Sequence, residues 1–446
     1  MGTTQARTEA VLENLERPEA PPRWRLATRI AFRFCFLYFA AYVAVTQLLP
    51  TIVPIPRVDV PDPGTFPPVR PAVAWVAKHV FGVRAALVVT GSGSGDKIFD
   101  WTEVACLLAL AAVGAALWSV LDRARPSYPG LYRWTRILLR LAIGSTFILY
   151  GLDKVIPLQM PYPYLTRLLQ PYGNSSPMGV LWSFIGASPA YEILVGCVEA
   201  IGGILILMPR TALLGTLICL GNAVQVFALN MTYDVPVKLF SFHLIVFAVF
   251  LLMADAGRLW RFFVLDRDTG ASRRPERPRT ARGRRIASVV PAVYVVYLVG
   301  VNLYGGAAAW KEYGGGSPQS PLYGIWEVEQ MTLDGTPHPA AFGDPDCWRR
   351  VVFQFPESAA FQHMDDTFEN YKASIALADR KLALTRFDDA LWKASFQIDQ
   401  PGPNRLVLDG EMNHRKMRLQ LRLVDHTKFR LVSSGFHWIQ EYPFNR

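Results

Sequence analysis

Seven stretches of about twenty residues are predominantly apolar: Ala27–Leu49, Trp101–Leu121, Trp134–Lys154, Pro189–Met208, Thr211–Met231, Pro236–Ala254 and Ile286–Tyr304. A helix rises about 1.5 Å per residue, so each stretch can cross a hydrocarbon layer of about 30 Å. Inside lipid the backbone must satisfy its own polar groups, which restricts these segments to a polytopic helical bundle. Only 18% of the 446 residues are charged and 51% are apolar. A soluble domain carries about 25% charge, so a disordered chain is excluded and an ordinary soluble enzyme is disfavoured. Residues Met1–Pro22 hold Glu9, Glu13, Glu16 and Glu19 with no apolar core. No cleavable signal peptide is expected there, and the first span should act as a signal anchor.

The basic residues predict an orientation. Arg23, Arg25 and Arg29 lie before or at the start of span one, and Arg123, Arg125, Arg133 and Arg136 lie between spans two and three or at the start of the third. Arg210 lies between spans four and five, and ten arginines from Arg258 through Arg285 fill the link between six and seven. All fall on one side if the N-terminus is cytoplasmic, which places the C-terminus outside a bacterial inner membrane. The formal charge is +10, but Lys311–Arg446 holds 16 Lys+Arg against 18 Asp+Glu. The surplus therefore belongs to the cytoplasmic loops. The Ser272–Arg285 run has no interleaved aromatics, so it reads as topology signal and anionic-lipid contact, with no nucleic-acid partner expected.

These patterns divide the chain. Residues 1–26 form a cytoplasmic segment, and 27–131 hold two spans around an outer loop at 50–100. A four-helix core covers 132–263, an arginine-rich linker 264–285, a seventh span 286–305 and an extracytoplasmic domain 306–446. In the first outer loop, Gly91-Ser92-Gly93-Ser94-Gly95-Asp96 lacks the Gly-Lys-Ser/Thr of a phosphate loop and reads as a flexible lid or linker. The second, Ile156–Ser188, is rich in proline and aromatics and is expected to be ordered. None of the five cysteines forms a C-x-x-C. Neither a disulfide framework nor a metal site can be read from them.

The C-terminal domain reads as all-β. Apolar and polar residues alternate in Leu322–Met331, Trp348–Phe355, Tyr371–Leu377, Lys381–Phe387, Trp392–Ile398, Arg405–Gly410, Lys416–Val424 and Phe429–Ile439. Asp334-Gly335, Pro401-Gly402 and Asp409-Gly410 supply turns. Short strands with close turns predict an up-and-down, lipocalin-like barrel, with Gly324-Ile325-Trp326 on its first strand and Gly435–Glu441 closing against it. A small barrel filled by its own side chains, serving for docking or capping, is the expected role, with ligand binding inside the barrel as the alternative.

Ionisable groups at membrane depth usually face a partner or a cavity. Glu192, Gly196, Glu199 and Gly203 share one helical face, as do Arg140, Gly144, Phe147, Gly151 and Lys154. Glu199 lies roughly 15 Å from its helix start, near mid-depth. Span five adds Asn222 and Asn230, and the following turn and span add Asp234, Lys238 and His243. Spans one, two and seven contribute few such groups. Lys154 and Lys238 are natural partners for Glu192, Glu199 and Asp234, with Asn222 and Asn230 orienting them. Either these charges pair off as helix glue or they line a pocket with proton-active groups.

The stretch Trp134–Phe263 resembles the DoxX/DoxD family of small membrane proteins. The resemblance rests on Arg140-Leu141-Ala142-Ile143-Gly144, Tyr150-Gly151-Leu152-Asp153-Lys154, Glu199-Ala200-Ile201-Gly202-Gly203, Pro209-Arg210-Thr211 with Gly215, and Asn230–Leu239. It implies a DoxX-like four-helix core with a polar site at Lys154, Glu199 and the Asn230–Lys238 turn. DoxD-type members are linked to thiosulfate:quinone oxidoreductase and DoxX members to oxidant-homeostasis complexes. The two spans before the core, the one after it and the exported barrel are additions to that plan. The resulting expectation is a quinone-linked membrane redox protein or complex subunit with no covalently bound cofactor. Glu199, Lys154 and His243 would be catalytic, and Glu192, Asn222, Asn230, Asp234 and Lys238 would bind the quinone. Electrons would come from an exported or membrane redox partner, and membrane lipids surround the bundle. A non-enzymatic scaffold whose barrel recruits a partner, or a small-solute or proton-coupled transporter, are the alternatives.

Overall fold

The computed structural model describes residues 23–269, 280–344, 347–389 and 392–443. The acidic N-terminal segment and much of the Ser272–Arg285 run lie outside the described residues. Seven long helices follow in order: α1 (Leu26–Val45), α2 (Ile98–Leu121), α3 (Pro129–Val155), α4 (Pro189–Leu207), α5 (Ala212–Thr232), α6 (Lys238–Leu252) and α7 (Ala281–Glu312). Past α6 the apolar span continues through a 3-10 turn to Phe263. Among the described residues, seven spans are long and apolar enough to cross a membrane. α7 reaches 32 residues and starts inside the expected linker, with Pro291 accommodated in its interior.

The chain divides into two compact units. The first holds the described residues up to Leu149 with Ile201–Met231 and Val235–Leu298; the second holds Tyr150–Ala200, Thr232–Asp234 and the described residues from Val299 onward.

In the first unit α1 packs along α2, and the pair is not as apolar as the sequence suggests. Arg33 is fully buried, its guanidinium donating to Ser119 Oγ at 2.8 Å, Asp122 O at 2.7 Å and Tyr128 Oη at 3.0 Å. Glu103 on α2 is buried as well. Spans one and two thus carry two buried charged residues, Arg33 and Glu103, outside the cluster expected in spans three to six. One expectation falls. The glycine-rich segment is not a free linker: Gly95 N donates to Pro236 O at 2.8 Å, and the Asp96 carboxylate accepts from Lys238 N at 2.8 Å and Leu239 N at 2.9 Å. Asp96 thus caps the start of α6 from a distant segment, meeting orphan amides and the positive end of the helix dipole. The next residue, Lys97, opens α2, with Asp100 accepting from Lys97 N at 2.9 Å.

Removing the Asp96 cap has a defined outcome. Asp96→Ala should lower stability by about 1 kcal/mol, with Asp96→Asn retaining much of it. Detergent-solubilised unfolding curves that coincide for wild type and Asp96→Ala would refute the cap.

Elsewhere in this unit, Arg140 Nε and Nη2 donate to Ile206 O at 2.7 Å and Leu207 O at 2.8 Å. A guanidinium thus sits on the last carbonyls of α4, where the helix dipole favours a cation.

The second unit carries the barrel. Its strands are β1 (Gly324–Leu333), β2 (Thr336–Pro337), β3 (Trp348–Phe353), β4 (Ser358–His363), β5 (Phe368–Ala376), β6 (Lys381–Arg386), β7 (Lys393–Gly402), β8 (Arg405–Met412) and β9 (Arg415–Val424). Neighbours pair antiparallel from β3 to β9, β1 pairs with β3, and β1 closes against β9 from Ile325↔Val424 to Leu333↔Met417. This is a closed eight-stranded up-and-down barrel, with the two-residue β2 as an appendage of β1. Alternate residues turn inward, among them Trp326, Phe361, Tyr371, Phe396 and Leu419, and pack as one core.

The strand forecast differs in three places. Asp409-Gly410 makes no turn but lies inside β8, paired with Gln397 and Phe396. β4 was not expected, because Ala359, Ala360, Phe361 and Gln362 are all buried and show no alternation. The reason is packing on both faces: Phe361 belongs to the barrel core, while Ala360 packs outside with Ile325, Val352 and Leu165 of the short helix Leu165–Leu169. Conversely, Phe429–Ile439 alternates but forms no strand. It folds into a helical turn, Arg430–Ser433, followed by coil, with Phe436 and Trp438 largely exposed. β9 closes the barrel instead. Gly324 makes the closure: its φ is +143°, and a Cβ there would lie 2.5 Å from Leu423 Cδ1.

Candidate functional site

In the second unit the end of α3 runs against the first half of α4. Glycine makes this approach possible. A Cβ on Gly151 would meet Ala200 N at 2.5 Å, and one on Gly196 would meet Gly151 O at 2.5 Å and Lys154 Cβ at 2.7 Å. Small residues let helix backbones close in where lipid supplies no hydrophobic drive. The result is a direct ion pair: Lys154 Nζ donates to Glu199 Oε2 at 2.6 Å, with side chains 8% and 2% exposed. Lys154 also lies 3.5 Å from Tyr150 O.

Glu192 stands two helical turns before Glu199 and is completely buried. Its Oε1 accepts from Met160 N at 3.0 Å, while Oε2 has no hydrogen-bond partner among the described residues. The charge of Lys154 acts on Glu192 too. The ammonium pairs directly with Glu199 and acts on Glu192 only from a distance, and among the described residues Glu192 Oε2 has no donor. Chemically this arrangement can accept a hydroxyl or hold a proton.

The remaining sequence-predicted residues have other surroundings. Asp234 lies in the turn after α5 at φ +52°, a left-handed position that Asp tolerates. In the first unit, Asn230 Nδ2 donates to Ser241 Oγ at 3.0 Å and Val237 O at 3.2 Å, so it holds the start of α6 rather than orienting a carboxylate. Asn222 is buried, and its Nδ2 has no hydrogen-bond partner among the described residues. Lys238 Nζ pairs with Asp96 at 3.8 Å, a partner the sequence reading did not consider.

His243 was expected to share proton work with Glu199. Its hydrogen bonds are instead to Tyr38 Oη, at 2.6 Å from Nε2, and to Leu239 O, at 2.7 Å from Nδ1. A carbonyl only accepts, so Nδ1 carries the proton; in the neutral ring Nε2 then accepts from Tyr38. The ring stacks on Tyr42 with centroids 3.9 Å apart. Tyr42 in turn lies within electrostatic reach of Glu103, Asp100 and Asp62. Glu103 Oε1 has no hydrogen-bond partner among the described residues, and a Cβ on Gly64 would fall 2.0 Å from it. Burial pushes the Asp62 carboxyl above its ordinary range, with Lys97 opposing. Sequence reasoning missed Tyr38, Tyr42 and Glu103. The four-residue spacing of the two tyrosines, which puts them on one face of α1, was the available signal.

Among the described residues, no group of three or more His, Cys, Asp or Glu side chains is placed to hold a metal ion. Fold and site together define a multi-pass helical membrane protein with a buried Lys–Glu pair and a closed β-barrel. The chain is 31% identical over 124 residues to Uncharacterized protein YwoB of Bacillus subtilis (strain 168), a match spanning 28% of this chain and 79% of that protein. It belongs to the family that YwoB represents. No family model and no solved structure matches the chain.

Proposed function

We propose that the protein is a quinone-linked membrane redox protein, or the quinone-handling subunit of such a complex. The single observation behind this is the buried Lys154–Glu199 pair, with Glu192 two helical turns before Glu199 and its Oε2 without a hydrogen-bond partner among the described residues. A quinone takes up two electrons and two protons to become a quinol. The ammonium of Lys154 would stabilise the anionic oxygen that forms on reduction, and Glu199 and Glu192 would deliver protons. The electrons come from a reduced substrate or an exported or membrane redox partner. The resemblance of Trp134–Phe263 to the DoxX/DoxD family supports this reading. The arginine distribution supports a cytoplasmic N-terminus and an extracytoplasmic barrel in a bacterial cell membrane.

Binding of a water-soluble ubiquinone analogue to protein in lipid nanodiscs tests the reading. Glu199→Gln and Lys154→Ala should each weaken binding at least tenfold. Wild-type protein that binds no analogue, or variants that bind as well as wild type, would sink it.

One observation favours a second reading, a scaffold that recruits a partner. Phe436, Trp438, Ile439 and Tyr442 follow the barrel and are each more than three-quarters exposed. Under that reading, truncation after β9 abolishes partner capture while Glu199→Gln leaves it intact.

A further inference from the structure

Among the described residues, the barrel is packed by its own side chains over much of its length, and a cavity remains at one end. β1 ends at Leu333, β3 begins at Trp348, β4 ends at His363, β6 ends at Arg386 and β8 ends at Met412. In an up-and-down barrel these strand ends share one rim, opposite the rim where Gly324 joins the chain coming from α7. They surround a cavity of about 570 Å³. That is within the usual range for small-molecule sites.

The walls of this cavity are chemically uneven. On one side the half-buried Trp392 stacks on the fully buried Tyr371, with centroids 4.8 Å apart, so the indole is held in place at the cavity wall. Nearby, Glu369 pairs with Arg386 at 3.1 Å, and His363 Nε2 lies 3.6 Å from the same carboxylate. Trp348 is 3% exposed, and its indole Nε1 is buried with no hydrogen-bond partner among the described residues. A buried donor without an acceptor is costly, and native proteins seldom keep one without a use. By contrast, the indole of Trp326 at the packed end donates to Leu322 O at 2.9 Å. Met412 and Met417 also line the cavity. Methionine side chains are adaptable and can shift to admit a ligand atom to the indole.

We infer that the cavity at this end of the barrel binds a planar aromatic molecule carrying a carbonyl or carboxylate oxygen. The ring lies against Trp392, which Tyr371 backs, and the oxygen accepts the Trp348 N–H. This differs from a barrel that serves only as a filled docking domain. It does not depend on the reading of the Lys154–Glu199 pair.

The test is calorimetric titration of 2-naphthoate into the full-length protein in lipid nanodiscs, with empty nanodiscs as blank. Its counterpart with the oxygen acceptor replaced by a donor, 2-naphthylmethylammonium, is titrated in parallel. One-to-one binding of 2-naphthoate is expected, at least tenfold tighter than the ammonium compound. Trp348→Phe keeps the ring and removes only the donor, and should weaken 2-naphthoate at least tenfold. Trp392→Ala should do so as well by removing half of the stack. A melting temperature that 2-naphthoate raises in wild type but not in Trp348→Phe supports the same conclusion. The inference is overturned by no heat above the blank, by equal affinity in wild type and both variants, or by preference for the ammonium compound. It is also overturned if affinity survives both tryptophan changes but falls in Lys154→Ala, which would place the probe among the helices.

Discussion

Lys154→Ala should destabilise the folded protein by about 3–5 kcal/mol. The reason is what the change leaves behind. Glu199 is 2% exposed and has Lys154 Nζ at 2.6 Å. Taking the ammonium away strands a carboxylate in a medium that solvates charge poorly, and the desolvation already incurred is no longer offset. Restoring the balance does not require the charges themselves. Lys154→Met combined with Glu199→Leu fills similar volume with apolar atoms and should recover most of the loss. Reversible unfolding in mixed detergent micelles measures all three proteins. Should Lys154→Ala fall within about 1 kcal/mol of wild type, the pair is solvated and the site is not the buried one described.

Gly196→Val should be comparably damaging, about 3 kcal/mol or more, for a steric reason. A Cβ at this position would lie 2.5 Å from Gly151 O, 2.7 Å from Lys154 Cβ and 2.8 Å from Val155 N. Two of those three atoms are backbone, so no rotamer change relieves the clash and the helices must separate. Separation also breaks the Lys154–Glu199 contact, so the two effects reinforce each other and will not add independently. The check is a double-mutant cycle: Lys154→Ala made on top of Gly196→Val should add far less than it does alone. Full additivity would mean that the glycine contact and the ion pair are unrelated.

How much of this was legible beforehand depends on the range of the cause. The spans were legible because about twenty apolar residues in a row admit few alternatives. The shared face of Gly196 and Glu199 was legible for the same reason: helical period is local. The Asp96 cap on α6 was not, since it joins residues about 140 positions apart and nothing local marks Asp96 as a capping residue for a distant helix. Glu103 escaped notice because it stands near the start of its span beside Asp100, where a carboxylate is expected to face water, and the turn at Gly64 that covers its carboxyl lies in a distant proline-rich loop. In the barrel, alternation found the strands with one wet face. It missed β4, whose two faces are both covered, and it was misled by Phe429–Ile439, where apolar residues alternate in exposed coil.

Closure of the barrel has a consequence for any partner. A sheet with a free margin can accept an extra strand from another chain, main chain to main chain, with little regard for sequence. Here β1 bonds to β3 on one side and β9 on the other, so the ring offers no such margin apart from the two-residue β2. Recruitment by strand addition is therefore closed to this domain. Whatever meets it must read side chains, at the rim or along the exposed aromatic tail, and selectivity then comes from surface chemistry rather than from backbone templating.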